Sequence, residues 1–575
     1  MGHFNDIDNP DVVSPELPTK DQYDIMKDEI FLKYANKSAP NSKRTRAGLS
    51  VYTGNWSNKE IIHLLRRTMF GAKQTDVQSL SSMTPSQAVD YLLNNVPSSA
   101  PAPPLNYYEN IYADPTNVAL GSPWVNAAYG DGTVNYYRRQ SLRGWWMENI
   151  VNQNTSIEEK MVLFMSNFFP VGFETANEAR FLYKYMQLIR QYSLGNLKAF
   201  LKELTKDGSM LYYLNGHYNI KNSPDENYAR ELQELFTIGK DSTTLYTQQD
   251  VVEAARILTG WRRDPNNLQT VFDDSLHDTG NKVFSSFYGG TVITGQTGPN
   301  GANETDQLID MIFAQQPQRI AKFFARKLYR FFVYYDIDAN IESTIIDGLA
   351  TTMINNNFEI KPVIEQLLKS DHFFDSLTMD CLIKTPLDFF LGTFRAMNSS
   401  VPTSYSIEDR YKCHILFSSL SSFSAMTPGG PPSVSGWPAY YQTPFYHEMW
   451  INSDTLPKRM RYTDTLISNN GFYVSATARL NFFVLDFAQS LSNPADPDVV
   501  VSECVEYLLG IGLSQTLKDY YKAILLSGQT ANSYWTNAWN NYINNPSNTT
   551  FEGIVKTRLY QMLLEMLRMA EHHLS

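Results

Sequence analysis

The stretch from Ser223 to Trp261, SPDENYARELQELFTIGKDSTTLYTQQDVVEAARILTGW, followed at 276–282 by LHDTGNK, decides the fold class. It predicts two helices, each with its own start signal. Ser223 offers an N-cap, Pro224 suits the first helical position, and Glu226 stands where a capping box needs a carboxylate. Thr247 and Asp250 repeat the device, with Asp in place of the usual Glu or Gln. Gly239 and Gly260 fall where the two helices are expected to stop.

On the first helix Glu226, Arg230 and Glu234 are successive i, i+4 neighbours along one stripe, opposite an apolar stripe of Tyr228, Leu232 and Leu235. On the second, Val251, Ala254, Ala255 and Leu258 face the core while Asp250, Glu253 and Arg256 share a polar side. Two readings are open. In one, both polar stripes are solvated and self-paired, each pair worth about 0.2–0.5 kcal/mol. In the other they turn towards a shared cleft reached by His277, Asp278 and Lys282. Glu226, Glu234, Glu253, His277 and Asp278 are then the candidate acids, bases or cation ligands, and Arg230, Arg256 and Lys282 candidate binding groups.

Several stretches carry a family resemblance: HLLRRTMFGA at 63–72, EEKMVLF at 158–164, RKLYRFF at 326–332, KTPLDFFLG at 384–392 and PPSVSGWP at 431–438, together with the helical pair and HDTGNK. In this order they resemble the bacterial family called domain of unknown function 1800. The resemblance implies a largely helical protein without an established activity, often exported. It also implies frequent company with a second uncharacterised family (DUF1501) of alkaline-phosphatase or sulfatase-like fold, a possible partner by association. Where many members resemble Phe-Trp-His-Asn-His-Phe, this chain has Phe164, Met165, Ser166, Asn167, Phe168 and Phe169. A metal or catalytic role resting on those two histidines is not expected here.

At 575 residues more than one subdomain is expected. The expected organisation is an arm at 1–55, a helical core at 56–453 with insertions at 96–135, 264–303 and 424–446, and a C-terminal helical segment at 454–575. The expected class is mainly α, a multi-helix orthogonal or bundle assembly with long loops and a small β-hairpin. VFDDS, KVFSSFYGG and TVITG supply the strands, with Gly289–Gly290 as the turn. Ser57 with Glu60, and Ser156 with Glu159, are further helix starts, and Trp145–Trp146 opens another helical region.

The net charge of −11 and the absence of a long basic block remove the electrostatic term that dominates nucleic-acid binding. No run of about 18 apolar residues exists, so no spanning helix is expected. Three distant cysteines, Cys381, Cys413 and Cys504, read as buried free thiols. Residues 1–48 show no apolar leader, which points to the cytoplasm, whereas the resemblance points to the envelope. Aromatic residues at 13% fit either a packed core or a flat-ligand surface. Trp261, Trp437 and Tyr440 are candidate binding residues, the last two in an irregular loop that is either a cleft wall or a plug over the core. Arg66 and Arg67 either meet the acidic stripes or form a surface pair, and His572 and His573 read as incidental.

No nucleophile elbow, Walker loop, HExxH or Rossmann glycine pattern is present. Two functions from different classes remain: an envelope-associated binding or assembly protein with an acidic and aromatic cleft, gripping a partner or glycan, and an enzyme using Glu226, Glu234, Glu253 or His277 on a glycosidic or ester bond. Metal and cofactor are unknown. Convergence of those groups on one shared point favours the enzyme; their separate pairing with Arg230, Arg256, Arg66 or a helix N-terminus marks them as structural.

Overall fold

The computed structural model describes residues 47–240, 246–468, 470–510 and 512–575. Most of the expected 1–55 arm, with its helical candidate near 21–35, lies outside the described residues. Helix makes up 57% of the structure against three small two-stranded antiparallel sheets, so the fold is mainly α.

Local chemistry explains where several helices begin. Glu60 accepts the Ser57 N–H at 2.9 Å and closes the capping box of the helix Asn58–Thr68. Asp250 does the same for Thr247 at 2.7 Å, opening the helix Gln248–Ile257. Two expected boxes do not form. The first helix of the central pair starts at Asn227, because Ser223 is still paired back to Ile220 and Asn219 Oδ1 takes the Asp225 N–H at 3.0 Å. The helix Glu158–Phe168 has Ile157, without a side-chain cap, at its start, so Ser156 plays no part. Trp145 and Trp146 lie well inside the helix Gly132–Val151 instead of opening it.

The helix from Asn227 continues through a widened π turn, Leu232–Thr237, in which the Ile238 N–H reaches back to Gln233 O at 3.0 Å. Gly239, at φ +79°, then ends it in the left-handed region. Two hairpins follow where one was expected. Trp261–Asp264 pairs with Gln269–Phe272, drawing in the first two residues of VFDDS. Lys282–Val283 pairs with Val292–Ile293, and Gly289 and Gly290 both take positive φ in the connection.

Packing joins these elements through one continuous apolar cluster that runs from Ile61 to Leu567. Gly132–Val151 lies along Ile407–Phe423. Gly144 permits that approach, since an added Cβ would sit 3.0 Å from Ile415 Cγ1 and 3.1 Å from a Tyr411 ring carbon. Phe164 and Phe168, in the stretch that lacks the family histidines, each pack 5.7 Å from Phe324. The surplus aromatics here are core. The last long helix, Thr549–Leu567, buries Val555, Leu559, Met562, Leu563 and Met566 in the same cluster, while Ala570 beyond it is exposed.

Candidate functional site

The two polar stripes of the central pair have different fates. The outer one closes on itself. Arg230 donates to Glu226 at 2.9 Å and to Gln248 at 3.0 Å, and Gln248 donates to Glu226 at 2.6 Å, tying the two helices at a half-exposed rim. Glu234 accepts from Lys240 Nζ at 3.1 Å and from the Tyr246 hydroxyl at 2.5 Å. Burial, reinforced by that carboxylate, pushes the Tyr246 phenol above its ordinary range.

The inner stripe meets the loop after the first hairpin. Arg256 holds Asp278 with two parallel bonds, Nε to Oδ2 and Nη2 to Oδ1, both 2.9 Å, and its Nη1 donates to Glu253 at 2.6 Å. Asp278 is oriented by its own N–H on Thr259 Oγ1 and by accepting the Gly280 N–H. Behind it lies a fully buried set. Lys282 Nζ reaches Glu304 Oε2 at 2.5 Å and also donates to the Asp278 carbonyl. Glu304 Oε1 accepts the Gln296 N–H at 2.6 Å and stands 3.2 Å from His277 Nε2. His277 Nδ1 faces the Thr259 carbonyl at 3.0 Å. Both ring nitrogens therefore face oxygen atoms. Burial alone would raise the Glu304 and Asp278 carboxyls. Hydrogen bonds from His277 and Lys282, and from Arg256, outweigh it and hold both below their ordinary range.

Asp250, fully buried, is spent on structure: it caps its own helix and accepts both the N–H and the hydroxyl of Ser285 at 2.7 Å. Among the described residues no hydrogen bond or ion pair joins Glu226 or Glu234 to the His277 network. Of the three aromatic candidates, Trp261 borders this network through Phe272, whose ring lies 5.3 Å from it and 5.1 Å from His277. Trp261 donates to Thr305 Oγ1 at 2.9 Å. Trp437 is buried with its N–H on Asn167 Oδ1, and Tyr440 stacks on Phe331 at 5.2 Å. The sequence signal missed Glu304, which lies in the first turn of the helix Asn303–Gln315 and gives the cations of this network their buried anion.

A second constellation has no counterpart in the sequence reading. Arg66 and Arg67, from the last turn of Asn58–Thr68, are neither at the surface nor near the acidic stripes; both are buried. They line a chamber of about 40 Å³ with Lys160, Arg330, Thr385 and Asp388. A smaller adjoining space of about 10 Å³ is lined by Arg66, Lys384, Asp388 and His572. His572 and His573, expected to be incidental, are buried, His573 stacked 4.8 Å from the Phe389 ring. The stretches at 63–72, 158–164, 326–332 and 384–392 each place a cation on this wall, and Ala439 and Tyr440 follow directly on the one at 431–438. Only long-range topology shows this, since each stretch alone reads as an ordinary helix end.

A family model described as "Protein of unknown function (DUF1800)" matches residues 63–565. No curated protein matches, and no solved structure does. Among the described residues no group of three or more His, Cys, Asp or Glu is placed to hold a metal ion, and no helix is long and apolar enough to cross a membrane.

Proposed function

Since the chain belongs to the DUF1800 family, whose description assigns no activity, we propose its role from geometry: a binding or assembly protein of the cell envelope. One observation carries this reading. Each carboxylate of the Glu226, Glu234, Glu253 and Asp278 set already has a cationic or amide donor at 2.5–3.1 Å, so none of these four is unpaired. A general acid or base must reach the proton it moves, and groups locked in pairs serve the fold first. The enzyme alternative would require Arg256 or Lys282 to release its partner.

A ligand surface is present close by. A cleft of about 550 Å³ is walled by Tyr129, Tyr212, Glu178, Arg180, Arg263 and Asn266. Arg263 lies 4.2 Å over the Tyr212 ring, and its backbone N–H is held by His217 Nδ1. Rings flanked by amide and charged groups suit a glycan or a polar protein surface. A protein of alkaline-phosphatase or sulfatase-like fold is the partner we favour testing beside a glycan.

The test is a titration of the full chain with soluble cell-wall oligosaccharides and with a purified DUF1501 protein, read by intrinsic fluorescence and calorimetry. Binding that Tyr129→Ala weakens while Glu226→Gln leaves intact is the expected result. Hydrolysis of a glycoside or ester that Glu253→Gln abolishes, with melting unchanged, would replace this reading by the enzymatic one.

A further inference from the structure

Among the described residues, the buried cations around Arg66 outnumber the side-chain carboxylates that pair with them. Arg66 pairs with Asp380 at 3.1 Å, and Lys160 pairs with Asp388. Three more cations have no ion pair among the described residues. Arg67 donates Nη2 to the Thr378 carbonyl, and its Nε has no partner. Lys384 Nζ donates to the His572 carbonyl at 2.6 Å. Arg459, at 0% exposure, gives one bond to the Lys384 carbonyl, while its Nε and Nη1 have none.

Burying a charge without a counter-charge is among the costliest arrangements a fold can hold, since carbonyl dipoles only partly replace the lost hydration. Two responses are available to such a site: the group gives up its proton, or an anion joins it. Burial does push the Lys384 amine well below its usual range and the Arg459 guanidinium to about 9. An arginine nonetheless keeps its proton at neutral pH. Arg67 thus has a donor to spare, and the chamber that it lines with Arg66 and Lys160 has room for about three water-sized bodies.

We propose that this chamber is a binding site for a small tetrahedral oxyanion of the phosphate or sulfate class, either free or as the terminal group of a larger molecule. Arginine presents paired N–H donors that match such oxygens, and lysine adds a point charge. Thr385 lines the same chamber and offers a hydroxyl. Asp388 on that wall sets a limit on the charge the site accepts, because it already takes Lys160.

The experiment uses the full chain, exchanged into chloride buffer. Inorganic phosphate, sulfate and glycerol 3-phosphate are titrated at constant ionic strength, with binding followed by calorimetry and melting temperature. Saturable binding of at least one oxyanion, with a rise in melting temperature that chloride does not reproduce, is expected. Arg67→Met and Lys160→Met should each weaken that binding tenfold or more. Glycerol 3-phosphate binding as well as inorganic phosphate would identify a terminal phosphoryl group as the ligand, and exclusion of the ester would identify the free ion. If the wild-type chain responds to none of the three, the proposal fails, and groups of the chain itself balance the cluster. It fails equally if the methionine variants fold and bind with unchanged affinity. Should a variant not fold, the wild-type titration decides alone.

Discussion

Arg256 and Asp278 face each other in a planar, two-bond contact, 2.9 Å on each arm, with Glu253 on the remaining guanidinium nitrogen. The contact fastens the helix Gln248–Ile257 to the loop that follows the first hairpin. Lysine cannot span Asp278 and Glu253 together. Arg256→Lys should cost about 1.5–3 kcal/mol, the range for hydrogen bonds to charged groups, measured by urea denaturation. An unchanged midpoint would mean that the loop is held by other contacts.

Lys282 and Glu304 form the buried half of the same network. Glu304→Gln leaves an ammonium without its anion and should lose about 3–5 kcal/mol. The double change Lys282→Met with Glu304→Leu should recover part of that loss, because it removes the unpaired ammonium while leaving the Gln296 N–H and His277 without the Glu304 oxygen. A double-mutant cycle checks this, and additive losses would contradict it.

Acid should weaken the network in a defined direction. Glu304 and Asp278 both ionise more readily when folded than at their ordinary values of 4.5 and 3.8. Their contribution is complete above those values and disappears as pH falls through the lower folded ones. Wild-type stability should therefore drop more steeply below about pH 4.5 than that of Lys282→Met/Glu304→Leu, as denaturation at stepped pH would reveal.

Buried histidines set in earlier. His63, His414 and His573 are each depressed to about 3, by burial first and then by neighbouring arginines. The unfolded chain takes up their protons near 6.5 and the folded one does not, so stability falls as pH drops below 6.5. Each histidine contributes a slope of roughly 1.4 kcal/mol per pH unit. His414→Gln should reduce the slope measured between about pH 6 and 4.5 by about one proton. An identical slope would show that His414 titrates alike in both states.

Trp437 separates two roles for its loop. Its indole is 2% exposed, so Trp437→Ala should cost about 3–5 kcal/mol through the cavity it leaves. Oligosaccharide affinity at the tyrosine cleft should not move at temperatures where the variant is folded. A selective loss of affinity would instead make this loop a ligand wall.

Start signals that depend on three or four adjacent residues were readable directly: the Ser57–Glu60 and Thr247–Asp250 boxes stand where the sequence places them. Ser223 misleads because a tertiary contact, Asn219 to Asp225, claims the N–H groups that a helix start would use. The charged side of the second helix was legible, since Arg256 and Asp278 lie only 22 positions apart. Glu304 was not, because a first-turn glutamate reads equally well as a dipole partner. The cation chamber was invisible for a simpler reason: Arg66 meets Asp380 across 314 positions and Lys160 meets Asp388 across 228. No local pattern encodes such a meeting.

That distance has a temporal side. Lys384 is anchored by the backbone of His572, and Leu382 exchanges two backbone hydrogen bonds with Ser575, so these residues seal a wall whose first parts were translated some five hundred positions before. Until they dock, a nascent chain carries Arg66, Arg67 and Lys384 as an unfinished patch open to any passing polyanion. Closure of the chamber is thus coupled to the docking of residues 572–575 on Leu382 and Lys384.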